Sequence, residues 1–164
     1  MMPGVYKTSY YLRLLLVACS LQLTACDTID LYEKVVSIPK HDWQSNFKPQ
    51  FKFTIKDTNA NYQMFVILRH NEKYNYNNIW LTVGSQAPGD TMRSQNINLE
   101  LGNDAKGWEG TGMDDIFEIR KNITPGPVPF KKAGDYTFTL SQIMRENPLK
   151  HILNVGIRVE KVNL

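Results

Sequence analysis

The chain has 164 residues, with 19 Lys and Arg against 16 Asp and Glu, a formal charge of +3 and 42 % hydrophobic residues. That length predicts one folded domain. The basic residues are scattered and form no cluster, which excludes a nucleic-acid surface built on a basic face.

At the N-terminus, Lys7 and Arg13 precede a mostly apolar run from Leu14 to Leu23, followed by Leu23-Thr24-Ala25-Cys26. Charge, a short apolar core and small residues before a cut is the order of a secretory signal. The run is ten residues, about half of what a membrane-spanning helix requires. Leu-Thr-Ala-Cys resembles the bacterial lipobox. There Leu23 fills a hydrophobic subsite, small Ala25 lies against the peptidase, and the Cys26 thiol accepts a thioether-linked diacylglycerol. Cleavage between Ala25 and Cys26 frees an amine for a further chain, and two or more acyl chains anchor stably where one does not. The expected organisation is a lipoprotein signal peptide over 1–25, a lipidated tether over 26–31 and a single β-sandwich domain over 32–164. Losing 25 of 164 residues leaves 139, and losing Lys7 and Arg13 takes 19 basic residues to 17 against 16 acidic ones, a charge of +1. Cys19 departs with the signal and Cys26 is capped, so neither a disulfide nor thiol chemistry is expected.

Period two dominates the rest, the mark of half-buried strands. Strands are predicted from Leu31 to Ile38, ended by Pro39, and over Gln50–Lys56, where Phe51, Phe53 and Ile55 share a face. Asp57 to Asn61 has turn composition. Tyr62–His70 is apolar on both faces at its centre, as a central strand would be; its run Met64–Leu68 is too short to span a bilayer. Asn78–Val83 places Ile79, Leu81 and Val83 in phase, and Gln95–Leu101 does the same with Ile97, Leu99 and Leu101. Ile116–Ile123 follows. Pro125 to Pro129 is predicted to break the ladder. Asp135–Leu140 alternates again, Ser141–Asn147 reads as a short helix capped by Ser141 and stopped by Pro148, and Ile152–Val162 closes the chain. About eight strands with one short helix before the last predict an all-β antiparallel β-sandwich, jelly-roll-like, with an immunoglobulin-like path left open.

Two stretches could carry chemistry. From Lys106 to Asp115, Glu109, Asp114 and Asp115 lie among three glycines beside Trp108, with Asp104 just before. Oxygen ligands in a glycine-rich loop suit Ca²⁺, but the spacing is not that of an EF-hand. The structural alternative is a glycine-bent crossing loop, with Trp108 plugging one end of the sandwich and the acids solvated or paired with Arg120. A carboxylate pair also suits glycoside hydrolysis, yet nothing in the sequence fixes their separation. From Arg69 to Trp80, tyrosines alternate with asparagines, a mixture that suits a flat polar ligand or a protein partner. The alternative there is a hairpin loop with left-handed asparagines and Trp80 on the buried side. His41, His70 and His151 lie apart with no metal spacing. The expectation is therefore no catalytic residues, no metal and no cofactor, with Tyr74, Tyr76, Asn78, Trp108, Asp114 and Asp115 as candidate partner-binding residues.

The blocks "HDWQSNFKPQFKFTIKDT", "LRHNEKYNYNNIWL", "KGWEGTGMDDIFEIR" and "YTFTLSQIMRENPLKHILNVGIRVEK" resemble the gliding-motility lipoprotein GldH family over about residues 26 to 162. The resemblance implies a non-enzymatic, lipid-anchored envelope protein that supports bacterial gliding and its associated secretion machinery, without a cofactor. It carries over one residue, the lipidated Cys26. The expected partners are the bilayer, through acylated Cys26, and another envelope protein; nucleic acid is not among them. Inner or outer membrane, and display at the surface, stay open. The other reading is a carbohydrate-binding module of the envelope, because jelly rolls often bind glycans.

Overall fold

The structure, a computed structural model, describes residues 31–162; Cys26 and the predicted signal lie outside the described residues. These form fourteen strands: β1 (Leu31–Ser37), β2 (Asp42–Trp43), β3 (Gln50–Ile55), β4 (Asn61–Asn71), β5 (Asn78–Gln86), β6 (Arg93–Glu100), β7 (Gly102–Asn103), β8 (Gly107–Trp108), β9 (Thr111–Met113), β10 (Ile116–Asn122), β11 (Val128–Pro129), β12 (Gly134–Gln142), β13 (Leu149–Lys150) and β14 (Ile152–Val162). Every pairing is antiparallel. One sheet runs β1-β14-β4-β10-β9, with β11 also on β4, and the other runs β3-β12-β5-β6. With the eight long strands counted in chain order, the sheets read first–eighth–third–sixth and second–seventh–fourth–fifth. That is the doubly wound Greek key of a jelly roll, so the all-β sandwich holds and the immunoglobulin-like path falls away.

The alternation explains the layering. Phe51, Phe53 and Ile55 of β3 lie beside Tyr136, Phe138 and Leu140 of neighbouring β12 on the inner face of one sheet, while Met64, Val66 and Leu68 of β4 and Val155, Ile157 and Val159 of β14 face them from the other sheet. Phe53 lies among Tyr32, Phe130, Tyr136 and Phe138. Fully buried Trp43 donates its Nε1–H to the Phe47 carbonyl at 2.9 Å, which satisfies its polar edge.

Two expectations need correction. Residues 141–147 are not helical: Ser141 and Gln142 complete β12, and a bent segment leads to β13. The backbone groups a helix needs are already engaged. Ile143 N–H donates to Trp80 O, Met144 N–H donates to Gln142 Oε1, and Gln142 Nε2 donates to the carbonyls of Trp43 and Glu146. The helical turn among the described residues is a 3₁₀ turn at Pro39–His41. Within the proline-rich stretch, Val128 and Pro129 pair with Tyr62 and Asn61; a proline sits at a sheet edge, where its missing N–H is not needed. Among the described residues no helix is long and apolar enough to cross a membrane.

Candidate functional site

β4 is central in its sheet, and its odd-numbered residues face outward. Arg69 pairs in register with Glu118 of β10, Ile67 lies between Arg120 and Gly156, and Phe65 lies between Asn122 and Arg158. Arg69 Nε donates to Glu118 Oε2 at 2.6 Å, and Arg120 Nη2 lies 2.9 Å from Glu118 Oε1. Arg158 bridges Glu33 at 2.7 Å and Glu160 at 2.8 Å. Arg120 on β10 also comes within 3.8 Å of Glu33 on β1, so these two side chains reach toward each other across β14 and β4. Beneath them Ile67 is fully buried although it points away from the core; long charged side chains commonly cover apolar surface in this way. Partial burial opposes ionisation of Glu118, but the hydrogen bonds from Arg69 and Arg120 outweigh it and hold the carboxyl below its ordinary range.

This charged face ends in an open cleft of about 830 Å³ where β9 turns into β10. Arg69, Glu118 and Asn154 form its polar wall, and Met113, Ile116 and Leu153 its apolar one. Met113 is 76 % exposed. Asp114 and Asp115 are the two turn residues between paired Met113 and Ile116, and both line the cleft. Asp114 takes φ 54°, a left-handed conformation that short polar side chains tolerate. The loop's acids do not converge: Glu109 pairs with Lys121, and Arg120 is engaged by Glu118 and Glu33 rather than by Asp114 or Asp115. No group of three or more His, Cys, Asp and Glu side chains able to hold a metal occurs among the described residues.

The aromatic candidates separate. Tyr74 is 3 % exposed and donates its hydroxyl to the Asn78 carbonyl at 3.0 Å, so it belongs to the core and offers no contact surface. Burial pushes its hydroxyl pKa up, reinforced by Tyr76 and Glu146 nearby. Trp108 does plug the sandwich end: it lies 4.4 Å from His70, ring centre to ring centre, and packs against Tyr74 and Phe117. Tyr76 is half-buried and donates to Glu146 Oε2 at 3.2 Å. Asn78 donates to Asn98 Oδ1 at 2.7 Å on the outer face of the four-stranded sheet. Tyr76 and Asn78 line a recess with Trp80, Ile143, Met144 and Arg145. Trp80 is 45 % exposed, against the expectation that it faces inward. Its position was readable, because Ile79, Leu81 and Val83 already claim the other face of the strand.

The six candidates thus divide among a cleft on one outer face (Asp114, Asp115), a recess on the opposite face (Tyr76, Asn78) and the core cluster between them (Tyr74, Trp108). By fold and surface, the molecule is a jelly-roll domain with two open recesses flanking one end. The chain belongs to the GldH lipoprotein family, whose model matches residues 30–159. It is 27 % identical over 145 residues to the Gliding motility lipoprotein GldH homolog of Christiangramia forsetii, spanning 84 % of this chain and 88 % of that protein. It is 27 % identical over 154 residues to the Gliding motility lipoprotein GldH of Flavobacterium johnsoniae, spanning 90 % and 94 %.

Proposed function

We propose that the chain is a lipid-anchored cell-envelope protein that supports gliding motility and its associated secretion machinery. In this reading Cys26 carries the acyl chains, and the jelly roll acts without catalysis by holding another envelope protein in the cleft at the β9–β10 turn. The observation that carries the reading is the family match, which spans the jelly roll and starts four residues past the lipobox cysteine. The cleft supports the contact: it combines exposed Met113 and Ile116 with arginine and carboxylates, the mixture found at interface centres and rims. Anchoring beside one bilayer raises the effective concentration of a partner held there.

The test is complementation of a gliding strain that lacks its own relative. Cys26→Ser is expected to lose acyl label, membrane association and gliding; retained gliding by an unacylated protein defeats the anchor. Replacing Asp114 by Asn, which keeps the left-handed turn, and Asp115 by Lys is expected to abolish gliding and in-cell crosslinking from position 113. Normal motility in that variant removes the cleft from the account.

A further inference from the structure

We propose that the outer face of the four-stranded sheet around Trp80 binds a neutral oligosaccharide. This goes beyond the motility reading and uses the face opposite the cleft. The indole of Trp80 is 45 % exposed, while Trp43 is fully buried and Trp108 half-buried. The surroundings are amides and hydroxyls. Asn98 is the cross-strand partner of Trp80, Asn96 that of Thr82, and Asn78 lies two residues before Trp80 on β5. Asn78 Nδ2 donates to Asn98 Oδ1 and Thr82 Oγ1 donates to Asn96 Oδ1, each at 2.7 Å. Those bonds orient the amides of Asn96 and Asn98 and leave their Nδ2 donors to solvent. On the other side of the indole, Ile143, Met144 and Arg145 complete a recess of about 490 Å³. The platform is held from the backbone: Trp80 N–H donates to Met144 Sδ at 3.2 Å, and Ile143 N–H donates to Trp80 O at 3.0 Å. A site ordered before its ligand arrives loses less entropy on binding.

A pyranose has the matching chemistry. Its C–H face lies on the electron-rich face of an indole, and its hydroxyls donate and accept as side-chain amides do. Around Trp80, positions 78, 82, 96 and 98 are uncharged, and the charges beside them, Glu100 across from Asn78 and Arg145 in the recess, are one of each sign; an acidic polymer is held instead by arrays of Lys and Arg. Ile143 is 42 % exposed beside the indole, but the strand face itself carries Asn78, Thr82, Asn96 and Asn98, where a protein interface is most apolar at its centre. Farther along β5, Met92 Sδ lies over Gly84, 3.1 Å from where a Cβ would stand. Trp80 and Gly84 are about 13 Å apart at 3.3 Å per residue. An indole at one end and an exposed thioether at the other suit a linear oligosaccharide lying along the strand.

The test labels the full chain with 5-fluorotryptophan, in a detergent without a sugar headgroup, and follows the three tryptophan resonances. Cellotetraose, mannotetraose and galactotetraose are the neutral probes and tetragalacturonate the acidic control. A neutral tetrasaccharide is expected to shift the Trp80 resonance saturably, with a millimolar or tighter Kd, while Trp43 and Trp108 stay put. By titration calorimetry, which does not depend on the indole as reporter, Trp80→Ala is expected to weaken binding about ten-fold or more. Asn98→Ala, which leaves the indole in place, is expected to weaken it less. The proposal is overturned if no neutral probe moves the Trp80 signal, if the acidic control binds as well, or if both variants bind like the parent. A Trp80 resonance that responds to an envelope protein and to none of the sugars overturns it equally. Gliding by Cys26→Ser tests the anchor separately and has no bearing on these outcomes.

Discussion

The imidazole of His70 is fully buried, with a hydrogen-bond partner on one nitrogen and none on the other. Nδ1 lies 2.8 Å from the Asn71 carbonyl, which makes it the protonated nitrogen, and Nε2 has no partner. Trp108, Tyr74 and Phe117 surround the ring. Burial lowers the pKa, only partly offset by the bond to Asn71. In the unfolded chain the imidazole takes its proton near pH 6.5, whereas in the folded protein it resists to lower pH. Stability is therefore intact above about pH 6.5 and falls as pH drops toward the folded pKa, with a slope of at most about 1.4 kcal/mol per pH unit. Denaturation curves from pH 7.5 to 5 are expected to show this slope in the parent and a shallower one in His70→Leu; equal slopes would show that His70 does not titrate on unfolding. Tyr74 makes a second prediction. Tyr74→Ala removes a buried ring from the same cluster and is expected to cost about 3–5 kcal/mol, seen as a lower denaturation midpoint. A midpoint within about 0.5 kcal/mol of the parent, the range of surface substitutions, would return Tyr74 to the surface. The burial of Tyr74 was not legible because it lies in a loop, where no alternation assigns a face. Trp80 lies in a strand, and its neighbours' phase already pointed it outward.

At the level of elements, the long strands were legible because each is long enough to show alternation; β14 was anticipated residue for residue, and the others to within a few residues. Two-residue strands such as β2, β7, β8, β11 and β13 carry no period to read. The order of strands was also hidden, since pairing depends on contacts far apart in the chain: β1 meets β14. The apparent helix at 141–147 failed for a related reason: Ile143 N–H donates to Trp80 O on a distant strand, and the Gln142 side chain takes up Met144 N–H and the Glu146 carbonyl. Gly156 holds the β1–β14 seam. A Cβ there would stand 2.6 Å from the Lys34 carbonyl oxygen and 2.9 Å from Val35 Cγ2, and both belong to the partner strand. Gly156→Ala is therefore expected to destabilise by about 1–3 kcal/mol, in the range of overpacked sites, and to speed amide exchange in β1 ahead of the rest of the sheet. Unchanged exchange in β1 would mean that the seam relaxes without cost.

For the whole molecule, the geometry bears on how the proposed anchor presents the cleft. β1 begins at Leu31, which pairs with Glu160, which in turn pairs with Gln63 near the start of β4. The cleft lies at the other end of β4, where Asn71 meets Ile116. Ten steps along β4, from Asn61 to Asn71, span about 33 Å. A tether over residues 26–31 reaches at most about 20 Å when extended. With acyl chains on Cys26, the first strand would thus start within about 20 Å of the bilayer, and the cleft would lie at the far end of β4 from that attachment. Inserting thirty Gly and Ser residues before Leu31 would add a coil with a root-mean-square span of about 30 Å, which blurs that placement and dilutes the domain around any partner fixed to the same membrane. Acylation and folding are expected to survive the insertion, while crosslinking from position 113 and gliding fall together. If both persist at parental levels with the long linker, the short tether serves only to retain the protein, and the distance between lipid and cleft has no part in what the domain does.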